Sequence, residues 1–277
     1  QAAELAIKAG VDIEMMTTCY PDYLKELLEE GRIAETLIDE AVMRLLKLKN
    51  ELGLFENPYR GADEQAEAEV ILSKEHREIA KKIAQKSMVL LKNENILPFT
   101  PHENIALVGP GAKSQDILGA WSWQGKKEEA ISLVAGAQKL TTNLLVAQEP
   151  FDYFEPTAAA IEEALTLASQ ADKVVVALGE TDWMSGEAAS RSDIRLPEKQ
   201  LAVVAQIIEK NPNVVITVYS GRPLDLQGID VAKGIVQAWQ PGTEGGNALA
   251  EILWGQYNPS GRLSMSFPET VGQVPIF

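Results

Sequence analysis

The strongest structural signal in the chain lies in Lys173-Val-Val-Val-Ala-Leu-Gly-Glu180, which continues as Thr181-Asp-Trp-Met-Ser-Gly-Glu-Ala-Ala-Ser-Arg-Ser-Asp-Ile-Arg-Leu-Pro197. Its first part is a short, continuous apolar run rich in valine, which is typical of a β-strand buried on both faces. The second part has no apolar periodicity and mixes carboxylates, arginines and glycines. We therefore expect a central strand that ends in a long polar loop.

Other apolar runs of strand length flank this one, and helical stretches separate several of them. The strand candidates are 88–91, 105–108, 174–178, 214–218 and 234–238, and the helical stretches are 157–170, 197–210 and 245–254. Strands that alternate with helices predict a mostly parallel sheet covered on both faces. We expect an α/β sandwich in this part of the chain.

The N-terminal part follows a different pattern. Residues 1–9 fit a helix that stops at a glycine, and residues 11–16 fit a short buried strand. Apolar residues then recur every three or four positions across 21–53, which predicts two helices. Turn-forming and acidic residues at 56–69 indicate a linker or domain boundary.

Composition and charge exclude several classes of protein. Of the 277 residues, 45% are hydrophobic and 23% are charged, which indicates a globular chain rather than a disordered one. With 25 basic and 40 acidic residues the net charge is −15, which repels nucleic acid and anionic membranes. We expect neither as a partner. The chain starts without Met and without a signal sequence, so we expect residues to be missing upstream.

The sequence predicts no cofactor and no metal. Cys19 is the only cysteine, and the two histidines lack the spacing of a zinc site. A strand runs into Gly109-Pro-Gly111, as at a dinucleotide site, but Ser114 stands where the third glycine is needed. A plain turn after the strand explains this motif better.

Two segments are candidates for a carbohydrate site. Ligands of open α/β sheets bind at the carboxyl ends of strands, where the carboxylate-rich loop at 180–193 is expected to lie. Trp121 and Trp123, flanked by glycines, can expose indole faces that stack on sugar rings. The simpler alternatives are a solvated acidic loop and two tryptophans packed in the core.

These and other motifs resemble glycoside hydrolase family 3, of the β-glucosidase type, and the resemblance covers essentially the whole chain. The ordered set that carries it is Ala9-Gly-Val-Asp-Ile-Glu-Met-Met16, Ser87-Met-Val-Leu-Leu-Lys-Asn-Glu94, Leu97-Pro98, Leu107-Val-Gly-Pro110, Ser220-Gly-Arg-Pro223, Gln237-Ala-Trp-Gln-Pro-Gly242, Asn258-Pro-Ser-Gly-Arg-Leu263 and Ser266-Phe-Pro268. Each motif alone is weak, but their order along the chain is specific.

The resemblance implies a six-stranded, mostly parallel α/β sandwich preceded by the terminal elements of a (β/α) barrel. The implied domains are the end of the barrel with its closing helices at 1–60, a linker and leading helix at 61–87, and the sandwich at 88–277. The family resembles retaining exo-glycosidases, in which an aspartate on the barrel attacks the sugar and a glutamate on the sandwich protonates the leaving oxygen. No cofactor is implied.

Carried over to this chain, the resemblance makes Glu187 the acid/base, with Glu180 as the alternative. Trp121 or Trp123 resembles an aromatic wall of the leaving-group subsite, and Arg191 and Asp193 resemble groups that bind substrate or orient the acid. The family's nucleophile belongs to a Ser-Asp-Trp type motif that this chain lacks, so we expect the 277 residues alone to be inactive.

The resemblance leaves several points open. The implied substrate is a β-linked oligosaccharide or glycoside with a terminal glucosyl residue, and the implied partner is the missing N-terminal barrel. A β-xylosidase of the same family and a non-catalytic carbohydrate-binding or scaffold protein are the alternatives. Whether the protein forms a homo-oligomer stays open. The compartment, which is cytoplasmic, periplasmic or secreted, stays open as well.

Overall fold

A computed structural model describes residues 1–273, so the last four residues of the predicted sandwich domain lie outside the described part. The chain divides into two compact units, 1–69 and 70–277. The helices of the first unit are α1 (Ala2–Lys8), α2 (Cys19–Glu29) and α3 (Glu35–Glu51), and α4 (Glu64–Val70) ends at the division. The domain boundaries at 60 and 87 stay a prediction.

The second unit alternates strands and helices. Its elements are α5 (Lys74–Ser87), β1 (Val89–Asn93), β2 (Ile105–Val108), α6 (Leu133–Ala137), β3 (Leu144–Val146), α7 (Ala158–Gln170), β4 (Lys173–Gly179), α8 (Glu198–Lys210), β5 (Val214–Tyr219), β6 (Gly234–Gln237) and α9 (Gly245–Leu253). The six strands form one sheet in the order β1-β6-β5-β4-β2-β3. Only β1 is antiparallel to its neighbour. The predicted six-stranded, mostly parallel sheet is confirmed.

Each face of the sheet is covered by its own hydrophobic cluster. Along β4, Val175 and Ala177 join a cluster that includes residues of α5, α6 and α9. Val174, Val176 and Leu178 join the opposite cluster, which includes residues of α7 and α8. Successive side chains of a strand point to opposite faces, so a strand between two helical layers must be apolar throughout.

The strand order fixes where a ligand site can form. Strands β2 and β4 are neighbours and run parallel. The chain that leaves β2 continues to α6 on one face, whereas the chain that leaves β4 continues to α8 on the other face. The two connections therefore diverge and open a crevice at the carboxyl ends of these strands. Ligands of open α/β sheets bind in such crevices.

The structure corrects the prediction for residues 11–16, which form no strand. A strand needs a neighbour for its backbone hydrogen bonds, and no strand of the described chain pairs with this segment. The sequence prediction also missed β3 and α6, which have three and five residues. Elements this short give almost no periodic signal.

The first unit has a small core of Ala3, Ile7, Leu27, Ile33 and Ala41. Its longest helix, α3, also leaves apolar side chains exposed, among them Val42 and Leu46. Among residues 1–273, no helix combines the length and the apolar character that crossing a membrane requires.

Candidate functional site

A cleft of about 360 Å³ opens at the crevice between the loops that follow β2 and β4. Trp121 and Trp123 come from the first loop, and Trp183 comes from the second. The exposed fractions of these tryptophans are 66%, 85% and 67%. Three exposed indoles around one cleft leave apolar surface available for a flat partner such as a sugar ring or an aromatic group.

Glu187 is the carboxylate that lines this cleft. It is exposed and lies on a turn between Gly186, with a φ of +123°, and Ala188, with a φ of +59°. A Cβ atom on Gly186 would lie 2.9 Å from the Cβ of Ala120. Glycine is therefore required where the turn touches the loop after β2 that carries Trp121 and Trp123, called the tryptophan loop below. This contact brings the Glu187 segment beside Trp121.

Glu180 is in a different environment, although it is only seven positions away. Its side chain is fully buried at the end of β4, and it forms ion pairs with Arg191 and Arg222. The Nε of Arg222 lies 3.5 Å from Glu180 Oε2. A buried carboxylate held by two guanidinium groups is not accessible to a substrate. The structure thus separates the two candidate glutamates into an exposed and a buried one.

Comparisons with known proteins agree with this architecture. The family model described as the glycosyl hydrolase family 3 C-terminal domain matches residues 88–277, most of the chain. The chain belongs to glycoside hydrolase family 3. The predicted recognition is confirmed, and the named relatives of this family include β-glucosidases and β-xylosidases.

Individual relatives extend over the whole chain. The chain is 36% identical over 304 aligned residues to a periplasmic β-glucosidase of Salmonella typhimurium. It is 30% identical over 296 aligned residues to a β-xylosidase of Formosa agariphila. The crystal structure of a β-glucosidase from Listeria innocua in complex with glucose matches with a TM-score of 0.93 at 43% identity. All of this chain is covered in each match, but only 40%, 40% and 38% of the relatives. The chain thus spans about two fifths of their length.

In this family 3 chain, an ion-pair bridge joins the two loops of the cleft. Lys127, which follows the tryptophan loop, lies 2.9 Å from Asp116 and 3.3 Å from Asp182. The hydrogen bond that the Lys127 ammonium donates to the Asp116 carboxylate raises the pKa of Lys127 above its usual range. The backbone N–H of Trp183 donates to Asp182, and the Trp183 ring lies 5.9 Å from that of Phe154. These contacts hold Trp183 at the edge of the cleft.

Sequence reasoning missed Trp183 as a site residue. The residue belongs to the carboxylate-rich loop, so the signal was an aromatic side chain directly beside the candidate acids. The sequence shows that residue 183 is a tryptophan. Its exposure depends on the direction in which the short 3-10 turn Asp182–Met184 leaves the sheet. Within residues 1–273, no group of three or more His, Cys, Asp or Glu side chains is arranged to hold a metal ion.

Arg191 and Asp193 lie away from the tryptophan cleft. Arg191 pairs with Glu180 and also donates to the backbone oxygen of Arg195. Asp193 pairs with the Arg195 side chain, which holds the pKa of the Asp193 carboxyl well below its usual range. Both residues line a second cavity of about 310 Å³ near the start of α8. Their role in binding substrate stays a prediction.

Gln200 of α8 fixes the point where β4 passes into the carboxylate-rich loop. Its side chain is fully buried and accepts a hydrogen bond from Gly179 N–H at 3.2 Å. Its amide nitrogen donates to the carbonyl oxygens of Gly179, at 3.0 Å, and Tyr153, at 3.2 Å. One side chain thereby satisfies two backbone groups at the end of the strand and one in the loop before α7.

We expect Gln200→Met to lower the free energy of unfolding by roughly 1–3 kcal/mol, because it leaves buried backbone groups unsatisfied. Urea denaturation of the 277-residue chain measures this loss. The matched control is Gln206→Met on the same helix, where the exposed amide only contacts the carbonyl of Ala202. Equal stability of the two variants would contradict the role assigned to Gln200.

Proposed function

We propose that this chain supplies the general acid/base and the leaving-group side of the active site in a retaining, exo-acting β-glycosidase of the β-glucosidase type. Its substrate is a glycoside or oligosaccharide with a terminal non-reducing β-D-glucosyl residue. One observation carries the proposal: Glu187 is exposed in a cleft with three exposed tryptophans, at the crevice where the fold places ligands.

The chemistry follows from the placement of the carboxylate. In a retaining glycosidase one carboxyl group attacks the anomeric carbon while a second protonates the leaving oxygen, and the two lie about 5–5.5 Å apart. Glu187 takes the second role, and afterwards removes a proton from the water that hydrolyses the glycosyl-enzyme. The nucleophile is an aspartate of another part of the barrel, since these 277 residues hold no Ser-Asp-Trp motif.

The tryptophans bind the part of the substrate that leaves. An indole face packs against the C–H surface of a pyranose ring or against an aromatic aglycone. Trp121, Trp123 and Trp183 surround the space beside Glu187, so a group bound there has its glycosidic oxygen near the acid. The terminal glucosyl residue itself is bound mainly by the barrel.

The stereochemical course tests the proposed mechanism. We expect ¹H NMR of hydrolysis by the enzyme that contains this chain to show the β-anomer of the sugar first, with the α-anomer appearing only by mutarotation. An α-anomer formed first would exclude the retaining mechanism. Binding of oligosaccharide without any hydrolysis would favour the non-catalytic alternative.

A β-xylosidase is the second candidate, because β-xylosidases are among the relatives that align with 99% or more of the chain. Glucosides and xylosides differ by the hydroxymethyl group on C5 of the terminal sugar. We expect a larger kcat/KM for an aryl β-glucoside than for the matching aryl β-xyloside. The opposite order would reassign the substrate without changing the role of Glu187.

A further inference from the structure

The guanidinium group of Arg222 lies against the turn that carries Glu187. Its Nη2 donates one hydrogen bond to the carbonyl oxygen of Ala189, at 2.9 Å, and another to that of Met184. These two carbonyls bracket residues 185–188. A single side chain thus joins both ends of the turn.

The backbone before Arg222 is shaped for this approach. A Cβ atom on Gly221 would lie 2.1 Å from the Oγ of Ser185, the first residue of the turn. The same Oγ accepts a hydrogen bond from the amide nitrogen of Gln240 at 3.1 Å. Segments that follow β5 and β6 therefore both contact the turn, and glycine at 221 is what allows the first of them to come close.

Arg222 is itself held in place by charge. Its Nε lies 3.5 Å from Glu180 Oε2, while Arg191 occupies Oε1 of the same carboxylate. Within the described chain, neither Arg222 Nε nor Glu180 Oε2 has a hydrogen-bond partner, so attraction between the charges fixes this end of the guanidinium. The planar group then directs Nη2 toward the two carbonyls.

We propose that Arg222 is a positioning residue for Glu187, which keeps the carboxyl group at the height and angle needed to protonate the leaving oxygen. This inference rests on the proposed function. Lysine is not an equivalent substitute, because one ammonium on a flexible stem cannot stay beside Glu180 and also span both carbonyls. Misplacement of a catalytic group by about 1 Å can cost about 10²-fold in rate.

The turn itself can be tested in the 277-residue chain. We expect Arg222→Lys to speed hydrogen exchange of peptides covering 184–190 by about tenfold or more, since the turn loses hydrogen bonds to a charged donor. Arg195→Lys is the matched control, because Arg195 is exposed and its side chain pairs with Asp193. Unchanged exchange in Arg222→Lys would overturn the inference.

Kinetics of the enzyme that contains this chain test the consequence for catalysis. We expect Arg222→Lys to lower kcat on an alkyl or disaccharide substrate by about 10²-fold with little change in KM, so that kcat/KM falls by the same factor, and to lower kcat/KM on a dinitrophenyl glycoside far less. Guanidinium ion added to Arg222→Ala is expected to restore part of the lost activity. If Arg222→Lys lowered the rates on the two kinds of substrate equally, as a general loss of folding would, the inference would be overturned.

Glu187→Ala measured on the same substrates separates the two proposals. Should this variant show no dependence on the leaving group, the proposed function fails and the role of Arg222 fails with it. Should Glu187→Ala show that dependence while Arg222→Lys does not, Glu187 remains the acid and only the inference about Arg222 is overturned.

Discussion

Replacing Glu187 by alanine is expected to lower kcat/KM on cellobiose-like substrates by about 10²–10⁴-fold in the enzyme that contains this chain. The reason is that a sugar leaving group departs as a poor alkoxide unless its oxygen is protonated. A dinitrophenolate leaves without that help, so the loss on a dinitrophenyl glycoside should be much smaller. Steady-state kinetics on the two substrates measures the contrast.

Azide supplies a second readout for the same variant. Hydrolysis of the glycosyl-enzyme needs a base to remove a proton from water, whereas azide is already an anion and attacks directly. We expect azide to speed turnover of Glu187→Ala and to yield the β-glycosyl azide. Glu209→Ala, which changes an exposed carboxylate near the end of α8, is the control and should behave as the unchanged enzyme.

Exposure of Glu187 also predicts that its replacement spares the fold. The variant should unfold within about 0.5 kcal/mol of the unchanged chain, as is usual for surface substitutions. Azide rescue at Glu180→Ala but not at Glu187→Ala would exchange the two roles. Rescue at neither position would mean that the sandwich does not supply the acid.

Glu180→Ala is expected to have the largest effect on stability, a loss of about 3–5 kcal/mol in the free energy of unfolding. The change leaves the guanidinium groups of Arg191 and Arg222, which are 22% and 20% exposed, without their shared counter-ion. Urea denaturation of the 277-residue chain measures the loss. Glu180→Gln keeps the shape of the side chain and removes only its charge.

Asp193→Ala is the matched control for this experiment. It breaks an ion pair with Arg195 whose two side chains are 51% and 60% exposed, so little stability should be lost. If Glu180→Ala were as stable as Asp193→Ala, water would be solvating the two arginines in place of the carboxylate. The assignment of Glu180 as a structural anchor would then be wrong.

The sequence predicts the centre of the fold better than its periphery. The runs at 105–108, 174–178 and 214–218 become β2, β4 and β5, which need apolar residues throughout because helices cover both faces. Strand β3, at the edge, has three half-buried residues and no such requirement. Residues 11–16 have the composition of a strand, but composition cannot supply a partner strand.

For the candidate site, the sequence identifies the residues but not their surroundings. Glu180 and Glu187 occupy the same polar loop, and nothing in their spacing shows that one is buried between arginines while the other is exposed. One of those two arginines, Arg222, follows another strand and is distant in sequence. Long-range contacts of this kind cannot be deduced from local patterns.

The divergence of the connections after β2 and β4 has an evolutionary consequence. The tryptophan loop leads to α6 in one hydrophobic cluster, and the carboxylate-rich loop leads to α8 in the other. An insertion in the first loop can therefore be absorbed on its own side of the sheet, away from the turn at 185–188 whose two ends Arg222 joins. The lining of the cleft can thus change in evolution on the side of Trp121 and Trp123 while Glu187, the proposed acid, keeps its place.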